Sequence, residues 1–488
     1  MSLSAVSVAA EPWTGRIFSN GWQAVDRELS VLEPATGQLL TSVGAATAEH
    51  ASKAAHGAAE RQKHWAVVPP RQKAEILRRA AAIFERDAER MAQFIVRETG
   101  GILPKAQHEV REAAMILHMA SNLSLQPHGQ VLPSQPNRIS LARRVPLGVV
   151  GVISPFNFPL ILSMRAVAPA LALGNAVVLK PDPRTPVTGG LFIAQVFEEA
   201  GLPEGILHVL PGGSEVGEAL CTHDKIAMVA FTGSTAAGRK VGEICGRHLK
   251  KVSLELGGKN ALIITEDTDL DLAVTNTAWG AYLHQGQICM ASGRVLVQRQ
   301  VAAEFTAKLA AKARSLPVGD PAHEQVAIGP IISKGQLDRV HSIVTDSVAE
   351  GAILEAGGAH RDLFYAPTVL SSVDASMRAW KEEIFGPVAC ITAFDNDQQA
   401  VEMANDTEYG LSSAVICRSL SRANAIASQL HTGLVHINDQ TVNDEVINPF
   451  GGFGASGNGT SVGGPADIDQ FTQWQWVTIK DAPPQYPF

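Results

Sequence analysis

Gly148-Val149-Val150-Gly151-Val152-Ile153-Ser154-Pro155-Phe156-Asn157-Phe158-Pro159 is a run of branched apolar residues that ends in a proline-flanked loop, and the architecture of the chain can be read outward from it. An apolar run without polar alternation predicts a strand buried on both faces, the form that parallel sheets take. The pattern then repeats. Short branched runs at 176–179, 206–210 and 228–231 are separated by helical stretches at 160–173, 187–200 and 214–221, which is the order of a parallel, doubly wound sheet. The usual ligand of such a sheet is a nucleotide, held at the carboxyl ends of the strands where helix N-termini offer N–H groups. Residues 145–179 are also the longest apolar region, but Pro155, Asn157, Pro159, Arg165, Pro169 and Asn175 interrupt it. A bilayer-spanning helix accommodates such residues poorly, so the region reads as buried strand, helix, strand.

On the N-terminal side, a strand-and-turn signal at 31–37 leads into Ala-rich helical periodicity at 46–65, 70–98 and 105–123, an α-helical layer. Residues 126–145 become short and extended, with Pro127, Pro133, Pro136 and the alternation Arg138-Ile139-Ser140-Leu141-Ala142-Arg143. This predicts an exposed hairpin, and an exposed edge needs a partner. On the C-terminal side, 262–264, 295–297, 388–392, 414–416 and 434–437 read as strands of a second α/β unit. The tail from Gly451 is glycine-rich and then strand-like at 474–479, where pairing with the 138–143 hairpin is expected, in this chain or a neighbouring one. Residues 1–10 carry a short apolar run with no basic residue ahead of it, and read as a loose tail rather than a signal peptide.

With 488 residues, 45% hydrophobic and 18% charged, the chain is long enough for two or three domains with large cores. A net charge of −8 without a run of five or more like charges gives neither a nucleic-acid footprint nor a membrane-surface patch. Small molecules are the expected partners. The five cysteines, Cys221, Cys245, Cys289, Cys390 and Cys417, are odd in number and lack a CxxC pair. Neither a disulfide framework nor a zinc site is suggested, and a reducing cytoplasm fits best. The dispersed histidines show no HxxxH spacing, so no metal is expected.

Several short stretches carry candidate chemistry. In His284-Gln285-Gly286-Gln287-Ile288-Cys289-Met290-Ala291-Ser292-Gly293-Arg294, a helical pattern from 269 to 283 runs in and a strand pattern at 294–298 runs out. Cys289 therefore falls on a tight junction with free backbone N–H groups, an environment that lowers a thiol pKa; the bland reading is a small buried hydrophobe. Phe231-Thr232-Gly233-Ser234 ends a strand and opens a capped helix, so its amides and the Ser234 hydroxyl suit a pyrophosphate or, equally, an ordinary βα turn. Lys180 ends a strand ahead of Pro181-Asp182-Pro183, in reach of a ribose or simply solvated. Glu255 sits within Leu254-Glu255-Leu256-Gly257-Gly258, where desolvation makes a general base, or it is a salt-bridged strand end. Asn157 is either an oxyanion donor or the cap of the helix that follows. Glu383 and Phe385, before the rigid Gly386-Pro387, either touch a cofactor or pack. Gly452-x-Gly454-x-x-Gly457 matches GxGxxG formally but lacks the βαβ context.

Together these stretches, in their order from Pro155-Phe156-Asn157-Phe158-Pro159 and Lys180-Pro181 to Gly286-Gln287-Ile288-Cys289, Glu383-Ile384-Phe385-Gly386-Pro387 and Pro449-Phe450-Gly451-Gly452, resemble the NAD(P)-dependent aldehyde dehydrogenase superfamily from about residue 31 to the C-terminus. Within it the chain looks most like the aromatic branch, the benzaldehyde and vanillin dehydrogenases, through 168–177, His284-Gln285-Gly286-Gln287, His436-Ile437-Asn438-Asp439-Gln440 and Tyr486-Pro487-Phe488. The resemblance implies a Rossmann-type doubly wound cofactor domain (1–122 and 147–255), an α/β catalytic domain (256–452) and a small β bridging element for oligomerisation (123–146 and 453–488). It implies Cys289 as nucleophile, Asn157 with the Cys289 N–H as oxyanion donors, and Glu255 as the base that hydrolyses a thioester. NAD, with NADP possible, would be held by Ile153, Lys180, Gly213, Phe231, Gly233, Ser234, Leu256, Glu383 and Phe385. Leu160, Leu162, Arg165, Ile288 and Phe450 would line a flat apolar pocket for an aromatic aldehyde, with Arg165 either in a salt bridge at a domain seam or on a ring hydroxyl or carboxylate.

The implied partners are the aldehyde and further copies of the chain, as homodimer or homotetramer, with no nucleic acid and no membrane. Phe156 stands where a Trp is usual, Pro183 where NAD-preferring relatives carry a ribose-binding Glu, and Ala166 where many carry a basic residue. A semialdehyde or aliphatic aldehyde dehydrogenase on the same fold, and a cofactor-independent cysteine esterase, are the competing expectations.

Overall fold

In the computed structural model, which describes residues 11–488, two seven-stranded sheets and a smaller three-stranded sheet organise the chain. The loose tail expected at 1–10 lies outside the described residues. The first sheet runs Lys251–Glu255, Ile226–Thr232, Val149–Ile153, Ala176–Lys180 and Leu207–Val209, all parallel. Val149–Ile153 and Ala176–Lys180 are buried at every position, because helices cover both faces and leave no place for a polar alternation. The antiparallel hairpin Arg16–Ser19/Trp22–Ala24 closes one edge, an addition the sequence did not signal.

Strand order matters for the site. From Val149–Ile153 the chain winds outward one way through Ala176–Lys180 and Leu207–Val209, then returns to the other side with Ile226–Thr232. The crevice at such a reversal opens between the carboxyl ends of two neighbouring strands, here beside Ile153 and Phe231. The second sheet, in the order Ile353–Ala356, Thr368–Ser371, Val388–Phe394, Arg294–Gln298, Ala261–Ile264, Ser412–Ile416, Leu434–Ile437, is parallel except at its first strand.

Two expected helices take a different form. The stretch 70–98 is divided into Pro70–Arg86 and Ala88–Thr99 at Asp87, whose backbone (φ −98°, ψ 14°) is not helical and whose carboxylate is bound by Arg86. The stretch 187–200 begins as the π-turn Val187–Leu191 before the helix Phe192–Glu199. Fully buried Glu98 accepts the Val187 and Thr188 N–H groups there, at 3.0 and 2.9 Å, so a side chain from another helix terminates donors that an N-cap would otherwise serve. The strand Thr472–Lys480 pairs with Arg138–Pro146 of the same chain, in register from Thr472 against Pro146 to Lys480 against Arg138, and Gly129–Val131 completes that sheet.

Candidate active site

Cys289 lies in the loop between the helix Leu270–Tyr282, capped by Asp269, and the strand Arg294–Gln298. The 3₁₀ turn Leu283–Gly286 leads into it with three successive left-handed residues, His284, Gln285 and Gly286 (φ 47°, 58° and 65°). At Gly286 a β-carbon would strike the Gly386 carbonyl, so only glycine fits both the dihedral and the space. The two side-chain-bearing residues each cost about 1–3 kcal/mol in that conformation. The surrounding hydrogen bonds hold them: Gln285 Nε2 donates to Gly100 O at 2.7 Å, and Asn260 Nδ2 donates to Cys289 O and Ala291 O at 2.8 and 2.9 Å. Thr441 adds a bond to Met290 O at 2.6 Å.

Cys289 is half-buried among Phe158, Ile288, Met290, Leu411 and Phe450. Its thiol pKa is pushed up, not lowered: burial dominates, the carboxylates of Glu383, Glu255 and Asp444 add to it, and only Arg165 opposes. The expectation of a lowered pKa is therefore corrected. The carboxylates that act on it come from distant parts of the chain.

Asn157 does not cap the following helix, Pro159–Ala172, which begins without a side-chain cap. Its Nδ2 donates to Gln287 O at 2.9 Å, two residues before Cys289. A primary amide has two N–H donors, so this bond pins the group to the nucleophile loop and leaves the second donor for a ligand. The Asn157 main chain is clamped as well. Lys105 Nζ donates to Asn157 O at 2.7 Å and pairs with Glu109, and Glu109 accepts the Leu160 N–H at 3.1 Å. Both side chains are buried within the helix Leu103–Leu123. Neither was singled out from the sequence, although Lys105 and Glu109 stand at i and i+4 in an Ala-rich helix, the one visible sign of such a pair.

Glu255 ends the strand Lys251–Glu255 and is 7% exposed, with neither carboxylate oxygen partnered. The salt-bridged reading fails for that reason. Burial pushes its pKa well above the usual carboxylate range, Arg165 opposes, and Asp444 adds to the rise. It borders a cavity of about 20 Å³ together with Leu162, Arg165, Phe231 and Phe450, room for a single water. The segment 450–462 covers this strand, through a Glu255–Gly457 bridge and Leu256 N donating to Ser456 O at 3.0 Å. That part of the expected bridging element therefore packs on the site.

Around the crevice of the first sheet, Lys180 is buried at the strand end; burial lowers its pKa and the carboxylates of Asp182 and Glu215 oppose. Gly213 precedes the helix Ser214–Thr222, and Ser234 caps Thr235–Arg247 by accepting the Ala237 N–H. Ile153, Phe231 and Leu256 are buried there, and Gly233 N donates to Glu255 O at 3.0 Å. Glu383 accepts the Gly258 N–H at 3.1 Å, and burial pushes its pKa up to about 7. A β-carbon on Gly257 would occupy the position of that carboxylate. Phe385 takes a left-handed conformation (φ 56°) and meets Phe156 edge-on at 5.8 Å.

Of the expected pocket residues, the structure brings Ile288 and Phe450 to Cys289, and Leu162, Arg165 and Phe450 to Glu255. Leu160 is corrected: it is fully buried in the core of the first unit, on the helix stripe shared with Met164, Val167 and Leu171, while 162, 165 and 166 face the cavity. Arg165 forms an ion pair with Asp444, a partner in an irregular loop.

A doubly wound sheet with a loop cysteine, a pinned asparagine amide and an unpartnered buried carboxyl defines a class. The chain belongs to the aldehyde dehydrogenase family, whose sequence pattern matches residues 22–477. It is 51% identical over 480 residues to a vanillin dehydrogenase of an Amycolatopsis species, covering 98% of this chain and 99% of that one. It is 49% identical to an NAD(+) benzaldehyde dehydrogenase of Pseudomonas putida over 478 residues, 98% of each chain. A salicylaldehyde dehydrogenase of Pseudomonas putida, crystallised with salicylaldehyde, superposes with a TM-score of 0.93 at 34% identity, covering 97% of this chain and 99% of that one. The enzyme class and the α/β fold anticipated from the sequence are those of these relatives.

Proposed function

We propose that this enzyme oxidises an aromatic aldehyde of the benzaldehyde or vanillin type to the carboxylic acid, with NAD as oxidant. The observation that carries the chemistry is the convergence of three groups: the half-buried Cys289 thiol, the Asn157 amide with one N–H committed to Gln287 O, and Glu255 with both oxygens unpartnered. Cys289 adds to the carbonyl carbon, and its thiol proton passes to solvent water as the C–S bond forms. The resulting oxyanion accepts N–H groups from Asn157 and from the Cys289 main chain. NAD, when bound, would supply the acceptor for the hydride lost from the C–H bond of that carbon, and the collapse of the oxyanion leaves a thioester on Cys289. Glu255 then takes a proton from water, that water attacks the thioester carbon, and the Cys289 thiolate leaves as the acid forms. The cavity beside Glu255 suits one such water.

The residues of the crevice fit a dinucleotide. Lys180 is a buried cation flanked by carboxylates, the helix opened by Ser234 offers its N-terminal amides, and Glu383 is a half-buried carboxyl beside the Gly257 backbone. Lys180, Ser234, Gly213 and Gly233 would hold ribose and pyrophosphate, and Glu383 with Phe385 the nicotinamide end, packed by Ile153, Phe231 and Leu256. Glu215, one of the carboxylates that act on Lys180, would repel a 2′-phosphate, which favours NAD over NADP although Pro183 replaces the usual glutamate and Asp182 is paired with Arg184.

In this reading 1–122 and 147–255 take up the cofactor, 256–452 carry the nucleophile, and 123–146 with 453–488 join copies into a homodimer or homotetramer. Exposed Trp474, Trp476 and Ile479 support the last point. Unbridged cysteines fit a cytoplasmic enzyme. No helix among the described residues is long and apolar enough to cross a membrane.

The test is NADH and NADPH formation with benzaldehyde, vanillin, succinic semialdehyde and hexanal, for wild type and Cys289→Ala. An aromatic aldehyde leading in kcat/KM, with turnover abolished in the variant, is expected. A lead for hexanal or the semialdehyde would remove the aromatic assignment, and ester hydrolysis without any NADH would replace the reading with an esterase.

A further inference from the structure

Arg165 is 6% exposed, yet its Nε and Nη1 have no hydrogen-bond partner among the described residues. Only Nη2 is engaged, on Asp444. A guanidinium carries five N–H donors, and burying several of them unpaired is costly, so the group is built for a ligand that the protein alone does not provide. Its position defines that ligand. The guanidinium stacks on the Phe450 ring at 4.8 Å, and Phe450 also packs in the cluster that contains Cys289, Ile288 and Phe158. One aromatic side chain thus touches the nucleophile's surroundings at one end and the unpaired donors at the other. A flat ring laid along Phe450 with its carbonyl at Cys289 turns its far substituents towards Arg165.

Charge makes the same selection. Glu255, Glu383 and Asp444 all bear on Cys289, and Arg165 is the cation set against them. An oxygen on the ring, as hydroxyl or phenolate, meets a charged donor only at Arg165 among the residues that line this cavity; Leu162, Ala166, Phe450 and Val462 are apolar, Thr232 and Ser253 offer neutral hydroxyls, and Glu255 is an acid. The partner already present, Asp444, sits in a loop without regular structure and is itself partly exposed, so the remaining donors can be used without breaking a rigid pair.

We propose, resting on the aromatic-aldehyde reading above, that Arg165 is the specificity-determining residue that receives a ring hydroxyl or phenolate oxygen, making hydroxylated benzaldehydes the substrates this pocket selects. The competing role lies across the same cavity: Glu255 is also unpartnered, and Arg165 could serve it instead. The two differ in what a substitution changes. A donor for the ring alters one substrate relative to another; a partner for Glu255 alters every aldehyde by the same factor.

The experiment compares kcat/KM for benzaldehyde, 4-methylbenzaldehyde, and 3- and 4-hydroxybenzaldehyde in wild type, Arg165→Met and Arg165→Lys, with thermal melts to register folding. In wild type a hydroxylated aldehyde should exceed its methyl counterpart by about tenfold to a hundredfold, the discrimination of one charge-assisted hydrogen bond. Arg165→Met should bring that ratio close to one, and Arg165→Lys should restore part of it. Equal losses on all the aldehydes would overturn the proposal in favour of Glu255, and a wild type without hydroxyl preference would overturn it directly. A measurement free of any variant is the wild-type dissociation constant of 4-hydroxybenzoate against 4-methylbenzoate, by tryptophan quenching; tighter binding of the methyl compound would also overturn it. Failure of wild type to oxidise benzaldehyde or any hydroxybenzaldehyde would instead remove the aromatic-aldehyde reading itself.

Discussion

At Glu255 the decisive physics is desolvation without a partner. A buried carboxyl whose oxygens meet no donor holds its proton to unusually high pH, and as a base it works only once ionised. Turnover limited by thioester hydrolysis should therefore fall as pH drops through a value above the ordinary carboxylate range, and the acid limb of kcat measures it. Glu255→Gln should keep a rapid single burst of NADH while steady turnover falls by at least about a hundredfold, because acylation needs no water and deacylation does. Stopped-flow absorbance separates the two, and a lost burst would place Glu255 earlier in the reaction. Lys105 is the other residue to test, since it holds the Asn157 carbonyl from a buried pair with Glu109. Removing one partner of such a pair costs about 3–5 kcal/mol. Lys105→Met should lower the melting temperature and slow the burst by about tenfold or more, through a displaced oxyanion donor; a normal burst rate in the folded variant would restrict Lys105 to stability.

The helix Ala88–Thr99 reaches the site only through what it props up. Its Glu98 accepts Val187 N, Thr188 N and the Thr188 hydroxyl, and burial raises its pKa to about 7. Glu98→Ala would orphan two buried N–H groups at about 1–3 kcal/mol each, which denaturant unfolding would register. The pH dependence has a definite sign. A carboxyl with a folded pKa near 7 and an unfolded one near 4.5 leaves the unfolded chain with fewer protons between those values. The contribution of Glu98 to stability is therefore full below about pH 4.5 and declines as pH rises towards 7. Glu98→Gln should flatten that decline in the melting temperature; an identical slope would assign it to the other carboxyls whose pKa is raised, Glu383 to about 7 and Asp467 to about 6 among them. Among the elements, strands of branched residues were legible because burial on both faces removes every polar position. The break at Asp87 and the π-turn Val187–Leu191 were not: at the first Arg86 binds the Asp87 carboxylate, and at the second Glu98 from another helix takes up the backbone N–H groups.

For the whole molecule, the outstanding surface is the strand Thr472–Lys480, which exposes Trp474 (52%), Trp476 (66%) and Ile479 (48%) after pairing within its own chain. Trp474 and Trp476 share one face of the strand and Ile479 lies on the other; in the proposed assembly these exposed side chains would lie in an interface. Trp474→Glu with Ile479→Glu should reduce the native mass, by light scattering on a sizing column, towards that of one chain; a monomeric wild type would remove the assembly. By itself the sequence determined the alternating α/β order, the loop position of Cys289 and the neighbours of Glu255, because strand burial, helix periodicity and turn glycines are local properties. The tertiary structure alone decided that burial and nearby carboxylates raise the Cys289 thiol pKa, that Asn157 is pinned to Gln287 and clamped by Lys105, and that Arg165 keeps unpaired donors. Each of these rests on groups far apart in sequence that share a buried space, where electrostatics depend on distance and dehydration and not on order along the chain.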